Sequence, residues 1–263
     1  MKHVAAFSAI LTILFLSIYP SDQVFAENSG DGNAVVDLTL NEEEGIRDPE
    51  NPGTIVDPGE TPSTSGKLRL DFVPQLNFGQ YKRSDKDQLY PVNGQLFLDE
   101  TSARGTFIQV ADFRGGAQGW ALQVRQETQF KNDQTTNTQL NGAVISFDKS
   151  WTNSVSGLDN APTVSKDIIR LSNIGDTYNL AEAKPGTGNG IWSIAFGASA
   201  DNAAGAPATL SPRMQEGKAV TDSVFNNQQT YENIAVQLSV PGGTKKDPVN
   251  YSTVLTWILA ELP

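Results

Sequence analysis

From Lys67 onward the apolar residues of this chain come in short runs with a two-residue period, and that period commits the region to β-strands. Leu68, Leu70 and Phe72 alternate with Lys67, Arg69 and Asp71, while Trp120, Leu122 and Val124 share one face of the run 119–126. Trp192, Ile194 and Phe196 share another, as do Ile234, Val236, Leu238 and Val240. Turn residues part the runs. Short strands spaced in this way predict an all-β domain over 67–263, a single β-sandwich of immunoglobulin-like character. The last run, Tyr251 to Pro263, puts Leu255, Trp257 and Leu259 on one face and Val254, Thr256 and Ile258 on the other. Apolar on both sides, it predicts a central strand whose removal unfolds the domain.

Ahead of that domain the composition changes twice. Met1-Lys2-His3 is a short cationic start, Val4 to Ile18 is apolar but for Ser8, Thr12 and Ser17, and Val24-Phe25-Ala26 offers small residues at −3 and −1 of a cleavage site. Residues 1–26 therefore predict a secretory signal peptide rather than a membrane anchor, since the run is short of the roughly 20 apolar residues a bilayer needs. No Cys follows it, so no lipid anchor is expected. Residues 27–66 carry ten acidic residues against Arg47 alone, with Asp-Pro and Pro-Gly steps throughout. Such a segment predicts a disordered, extended spacer, with one weak alternation at Val35 to Leu40 that would suit a docking strand.

The composition closes many chemistries. The chain has no Cys, and its single His is His3, inside the leader. Disulfides, thiolate sites, the usual zinc sites and catalytic triads built on histidine are excluded from the exported chain. The net charge of −11 belongs mostly to the spacer, and without a basic stripe no nucleic-acid partner is expected. Asp85 and Asp87 lack the spacing of a calcium loop. The glycine-rich stretch 111–119 has neither GxGxxG nor a Walker lysine. Neither a metal nor a cofactor is expected. Asp99, Glu100, Asp112 and Glu127 are the carboxylates a glycosidase reading would use, but none sits in an apolar context that would raise its pKa, so they read as solvated charges and the chain as no enzyme.

Two stretches carry a resemblance. Asp112-Phe113-Arg114 followed by Gly119-Trp120-Ala121-Leu122, and Leu255-Thr256-Trp257-Ile258-Leu259 near the C-terminus, resemble the paired Trp-x-Leu signatures of the WxL-domain family of Gram-positive surface proteins. Phe72-Val-Pro74-Gln-Leu-Asn-Phe78-Gly79, Leu140 to Ile145 and Val240-Pro241-Gly242-Gly243-Thr244 with Tyr251 match as well. The resemblance implies a secreted protein attached non-covalently to the cell wall through peptidoglycan or an associated wall polymer, in complexes with other surface proteins. With no LPxTG signal and no apolar tail, contacts alone must hold it. The alternative is a protein-interaction subunit or host-matrix adhesin that partner proteins retain at the surface.

Two roles stand open for Trp120, Leu122, Trp257 and Leu259. The indoles either stack on sugar rings or fill the core, as the aliphatic residues two positions on suggest. Trp192 reads as core. Trp151, between Ser150 and Asn153, reads as the exposed indole.

Overall fold

The computed structural model describes residues 45–115 and 118–262. The signal peptide, the first part of the spacer with Val35 to Leu40, and Pro263 lie outside the described residues. The described chain belongs to one compact unit, Glu42–Pro263, all-β with no helix among the described residues. Its strands, in chain order, are β1 (Ile46–Arg47), β2 (Ile55–Val56), β3 (Leu68–Phe72), β4 (Gln88–Asn93), β5 (Thr106–Asp112), β6 (Trp120–Gln126) and β7 (Val144–Phe147). They continue with β8 (Ser150–Asn153), β9 (Thr163–Val164), β10 (Ile169–Arg170), β11 (Thr177–Ala183), β12 (Gly190–Phe196) and β13 (Leu210–Pro212). The last are β14 (Met214–Gln215), β15 (Lys218–Ala219), β16 (Thr221–Asp222), β17 (Gln228–Gln229), β18 (Tyr231–Val240) and β19 (Leu255–Glu261).

Three antiparallel sheets make the sandwich-like body. Their orders are β3-β5-β12-β8, β19-β6-β11-β9 and β10-β7-β18-β13, with β4 also on β18. Each turns an apolar face inward, and burying the three together gives the main core, in which Val110, Leu122, Ile145, Ile194 and Val236 are all shut from solvent. β4 has β18 as its strand partner and tolerates Pro91 because an edge position needs no second ladder bond. That strand falls partly within 80–91, a stretch whose polarity reads as loop. Conversely, the run 95–99, whose Leu96-Phe97-Leu98 reads as a short strand, forms an isolated bridge from Gln95 to Arg104 instead.

The outer face of the β3-β5-β12-β8 sheet explains a difference from expectation. Phe72 and Phe107 stack there at 4.5 Å and need cover. The chain from 45 to 56, read above as disordered spacer, supplies it: β1 and β2 form a hairpin, with Val56 buried beside Phe72, Phe97, Phe107 and Ala195. Its charged residues are paired rather than solvated. Asp48 accepts both Nε and Nη2 of Arg104 at 2.8 and 2.7 Å, Glu50 lies 3.4 Å from the same guanidinium, and the Ser199 amide donates to Glu50 at 2.7 Å. The folded region thus reaches back to Gly45, not Lys67.

A second difference concerns the C-terminal strand. β19 pairs with β6 alone, so it is an edge strand, not a central one. Its residues are half-buried up to Glu261, which is exposed.

Candidate functional site

The two Trp-x-Leu runs lie side by side. The register sets Leu259 opposite Leu122, Trp257 opposite Val124 and Glu261 opposite Trp120. Residues paired across strands share a face, and Trp120, Leu122, Leu255, Trp257 and Leu259 all pack on the core. Trp120 and Leu122 are 0% exposed. The Trp120 indole donates to Gly188 O at 3.1 Å, and a Cβ on Gly188, whose φ is +74°, would sit 2.7 Å from that nitrogen. A side chain so enclosed cannot touch a polymer. Trp257 and Leu259 are half-buried, with the Trp257 ring edge-on to Phe147 at 6.2 Å.

Asp112 and Arg114 act as a clamp. Asp112 takes Nε and Nη2 of Arg114 at 2.9 and 2.8 Å. Arg114 also reaches Glu261 at 3.0 Å and Gly119 O at 3.1 Å, tying the end of β5 to the start of β6 and the end of β19. The hydrogen bond to Asp112 raises the Arg114 pKa further above its ordinary value. Trp192 is buried, as its pattern suggests. Trp151 is half-buried on β8 against the Phe72 and Phe107 cluster, its indole donating to Gly197 O at 2.9 Å, so it is not the exposed ring that its polar neighbours suggest.

A concave surface opens beside Trp257. An open cleft of about 1650 Å³ runs between Pro62 to Thr64 and Leu70 of β3 on one side and Ser252, Thr253, Leu255, Thr256 and Trp257 on another. Its floor includes the core residues Leu70, Ile145, Leu238 and Val240, and its walls carry Phe78, Tyr81, Tyr90, Tyr251 and Trp257 among the amides of Asn77, Gln80, Asn93 and Gln215. At the polar end Tyr81 and Tyr90 stand 4.6 Å apart, and Tyr81 is 42% exposed. Arg213, whose side chain is 7% exposed, holds this end together. It donates to Tyr81 Oη at 2.6 Å and to Pro91 O at 3.0 Å, and approaches Glu232 at 3.4 Å. The close packing extends to the backbone, for a Cβ on Gly79 (φ +77°) would lie 2.4 Å from Arg213 Nη1. Burial raises the Tyr81 pKa above 10.0 even against the lowering effect of Arg213, so the phenol stays neutral through the physiological range. Asn93 Oδ1 and Arg213 Nε are buried without a hydrogen-bond partner among the described residues.

At the other rim Asp247 accepts from Thr135 Oγ1 at 2.6 Å and from the Asn137 amide and Nδ2, both at 2.8 Å. Those bonds, the Thr135 hydroxyl first, hold its carboxyl below the usual range and fix the loop that brings Tyr251 to the cleft. Tyr251 Oη donates in turn to Asn137 O at 2.7 Å.

The cleft is furnished for binding. Half-exposed aromatic faces beside amide groups suit a ligand with apolar faces and a hydroxyl periphery. A glycosidase needs a carboxylic acid kept protonated near neutrality. Asp99, Glu100, Asp112 and Glu127 do not line the cleft, and of the carboxylates that do, Asp247 is held below the usual range while Glu216 and Glu232 pair with Lys82 and Arg213. Burial works upward on Asp99, yet hydrogen bonds from Thr101 and Asp57 hold it low. Thr256 and Arg125 do the same for Glu127. Sequence reasoning passed over Tyr81, Tyr90 and Arg213 because they lie in polar stretches and meet only because β4, preceded by Tyr81 and carrying Tyr90, and β13, followed by Arg213, both pair with β18.

Searches of curated proteins and of solved structures find no match to this chain. A family model described as the WxL domain, surface cell wall-binding, matches residues 26–263. The match takes in the hairpin at 45–56 along with both Trp-x-Leu strands, and on that coverage the chain belongs to the WxL-domain family of surface cell-wall-binding proteins.

Proposed function

We propose that the chain is exported, cleaved after Ala26 and held on the wall without catalysis, by peptidoglycan glycan resting in the cleft. Tyr81 and Tyr90 supply stacking faces, Trp257 and Tyr251 the opposite wall, and the neighbouring amides bond sugar hydroxyls. The observation that carries this reading is the Tyr81–Tyr90 pair in the cleft, Tyr81 exposed yet held by a buried arginine and Tyr90 half-buried beside it against the core. A rigid aromatic surface of this kind gains contact area at little cost in side-chain entropy.

The test is co-sedimentation of the chain beginning at Glu27 with purified peptidoglycan sacculi. Tyr81→Ala is expected to weaken retention about tenfold, or about 1.4 kcal/mol, while near-UV circular dichroism stays that of the parent. Equal retention of a folded Tyr81→Ala chain would move the glycan out of this cleft. Sacculus turbidity should stay constant throughout, and a steady fall would reveal an enzyme.

A further inference from the structure

The open edge of β19 borders the cleft, and its hydrogen-bonding groups have a definite parity. In an antiparallel pair, successive residues turn their backbone groups to opposite sides. Glu127 N donates to Val254 O and Leu262 N donates to Gly119 O, so the even-numbered residues from Val254 to Leu262 face β6. The odd-numbered Leu255, Trp257 and Leu259 turn their N–H and C=O groups to the opposite side, where no strand pairs with them. The motif thus has two directions: its side chains enter the core while its main chain looks out along the edge. Beside Leu255 and Trp257 that edge opens into the cleft, over the apolar floor of Leu70, Ile145, Leu238 and Val240.

We propose that this edge is a strand-addition site, and that its occupant is an extended segment of a partner polypeptide with apolar side chains at alternate positions. Outward amides two residues apart repeat at about 6.8 Å, a spacing another strand matches and a sugar chain does not. A strand lying about 4.8 Å from β19 drops every second side chain onto the apolar floor. It also removes the hazard of an unprotected edge, since the cleft-side stretch of β19 carries no charge to repel a second strand. The strand would share the Trp257 side of the cleft with the proposed glycan and compete with it there, but its recognition uses main-chain groups of β19 and does not rest on the glycan reading.

The experiment is amide hydrogen exchange read by NMR on the chain beginning at Glu27, with and without the peptide acetyl-Lys-Val-Thr-Val-Thr-Val-Lys-amide. Addition of peptide should slow exchange at Leu255 and Trp257 by about tenfold or more while leaving Thr256 and Ile258, already bonded to β6, unchanged. Leu255→Pro removes one outward donor and spares the ladder to β6, and should abolish the protection. If that variant does not fold, the odd-even pattern in the parent chain decides alone. Absence of protection overturns the proposal, as does equal slowing at odd and even residues. Protection by chitin oligosaccharides without peptide would assign the edge to glycan, and protection that rises with protein concentration alone would assign it to a second copy of this chain. Either result overturns the proposal. Retention on sacculi is scored separately, so loss of one reading leaves the other standing.

Discussion

A Trp-x-Leu spacing on a strand sends both side chains to one face, and whether that face meets core or ligand depends on what packs above it. Trp120 lies within the core, with Ala183 as its cross-strand neighbour and Gly188 against its indole, and its only polar side-chain group is bonded to a main-chain carbonyl. Truncation therefore tests stability. Trp120→Ala should cost about 3–5 kcal/mol in urea unfolding, and Trp257→Ala, from a half-buried position, visibly less. Equal costs would mean that both indoles are equally enclosed. The direction of Trp120 was readable from its alternation with Leu122 and Val124, as was that of Trp192. Tyr81 was not, because a tyrosine in a polar stretch shows no periodicity. Its meaning comes from Arg213, 132 positions away.

Strands are legible where alternation is long, as in β6 and β12. In β18 a register shift between Asn233 and Gln237 leaves Ile234 54% exposed and buries Asn233 in its place, so Ile234 does not share the face of Val236, Leu238 and Val240. Alternation also names faces and not neighbours. β19 satisfied the pattern for a strand covered on both sides and proved to be an edge. The Ile258 side is only half covered, and its backbone groups meet a single partner. The hairpin β1–β2 was illegible for the opposite reason, since acidic residues among prolines signal a solvated spacer unless a cation waits for them. Arg104, 56 positions after Asp48, is that cation, and an ion pair so far apart in sequence leaves no local trace. Asp48 and Glu50 are 2% and 8% exposed, so removing their partner strands two buried charges. Arg104→Ala should lower stability by about 3–5 kcal/mol, read as a shifted urea midpoint. A shift below about 1 kcal/mol would show the hairpin to be a loosely held surface arm.

At the scale of the whole molecule, charge limits how the protein can hold a wall. The chain carries −11, with ten acidic residues against one basic between Glu27 and Gly66, and a polymer bearing carboxylates or phosphates repels such a balance at long range. Of the cations lining the cleft, Arg213 is engaged by Glu232 and Lys82 by Glu216, which leaves Arg83 and Lys246 against the whole of that balance. The proposed attachment therefore rests on uncharged contacts, the tyrosine faces and the amides beside them. Such contacts do not weaken as salt shortens the Debye length from about 10 Å at 0.1 M to about 3 Å at 1 M. Co-sedimentation of the chain beginning at Glu27 with sacculi should accordingly hold or rise across that range. A tenfold loss would locate the grip in ion pairs, and would turn attention from Tyr81 and Tyr90 to the exposed lysines.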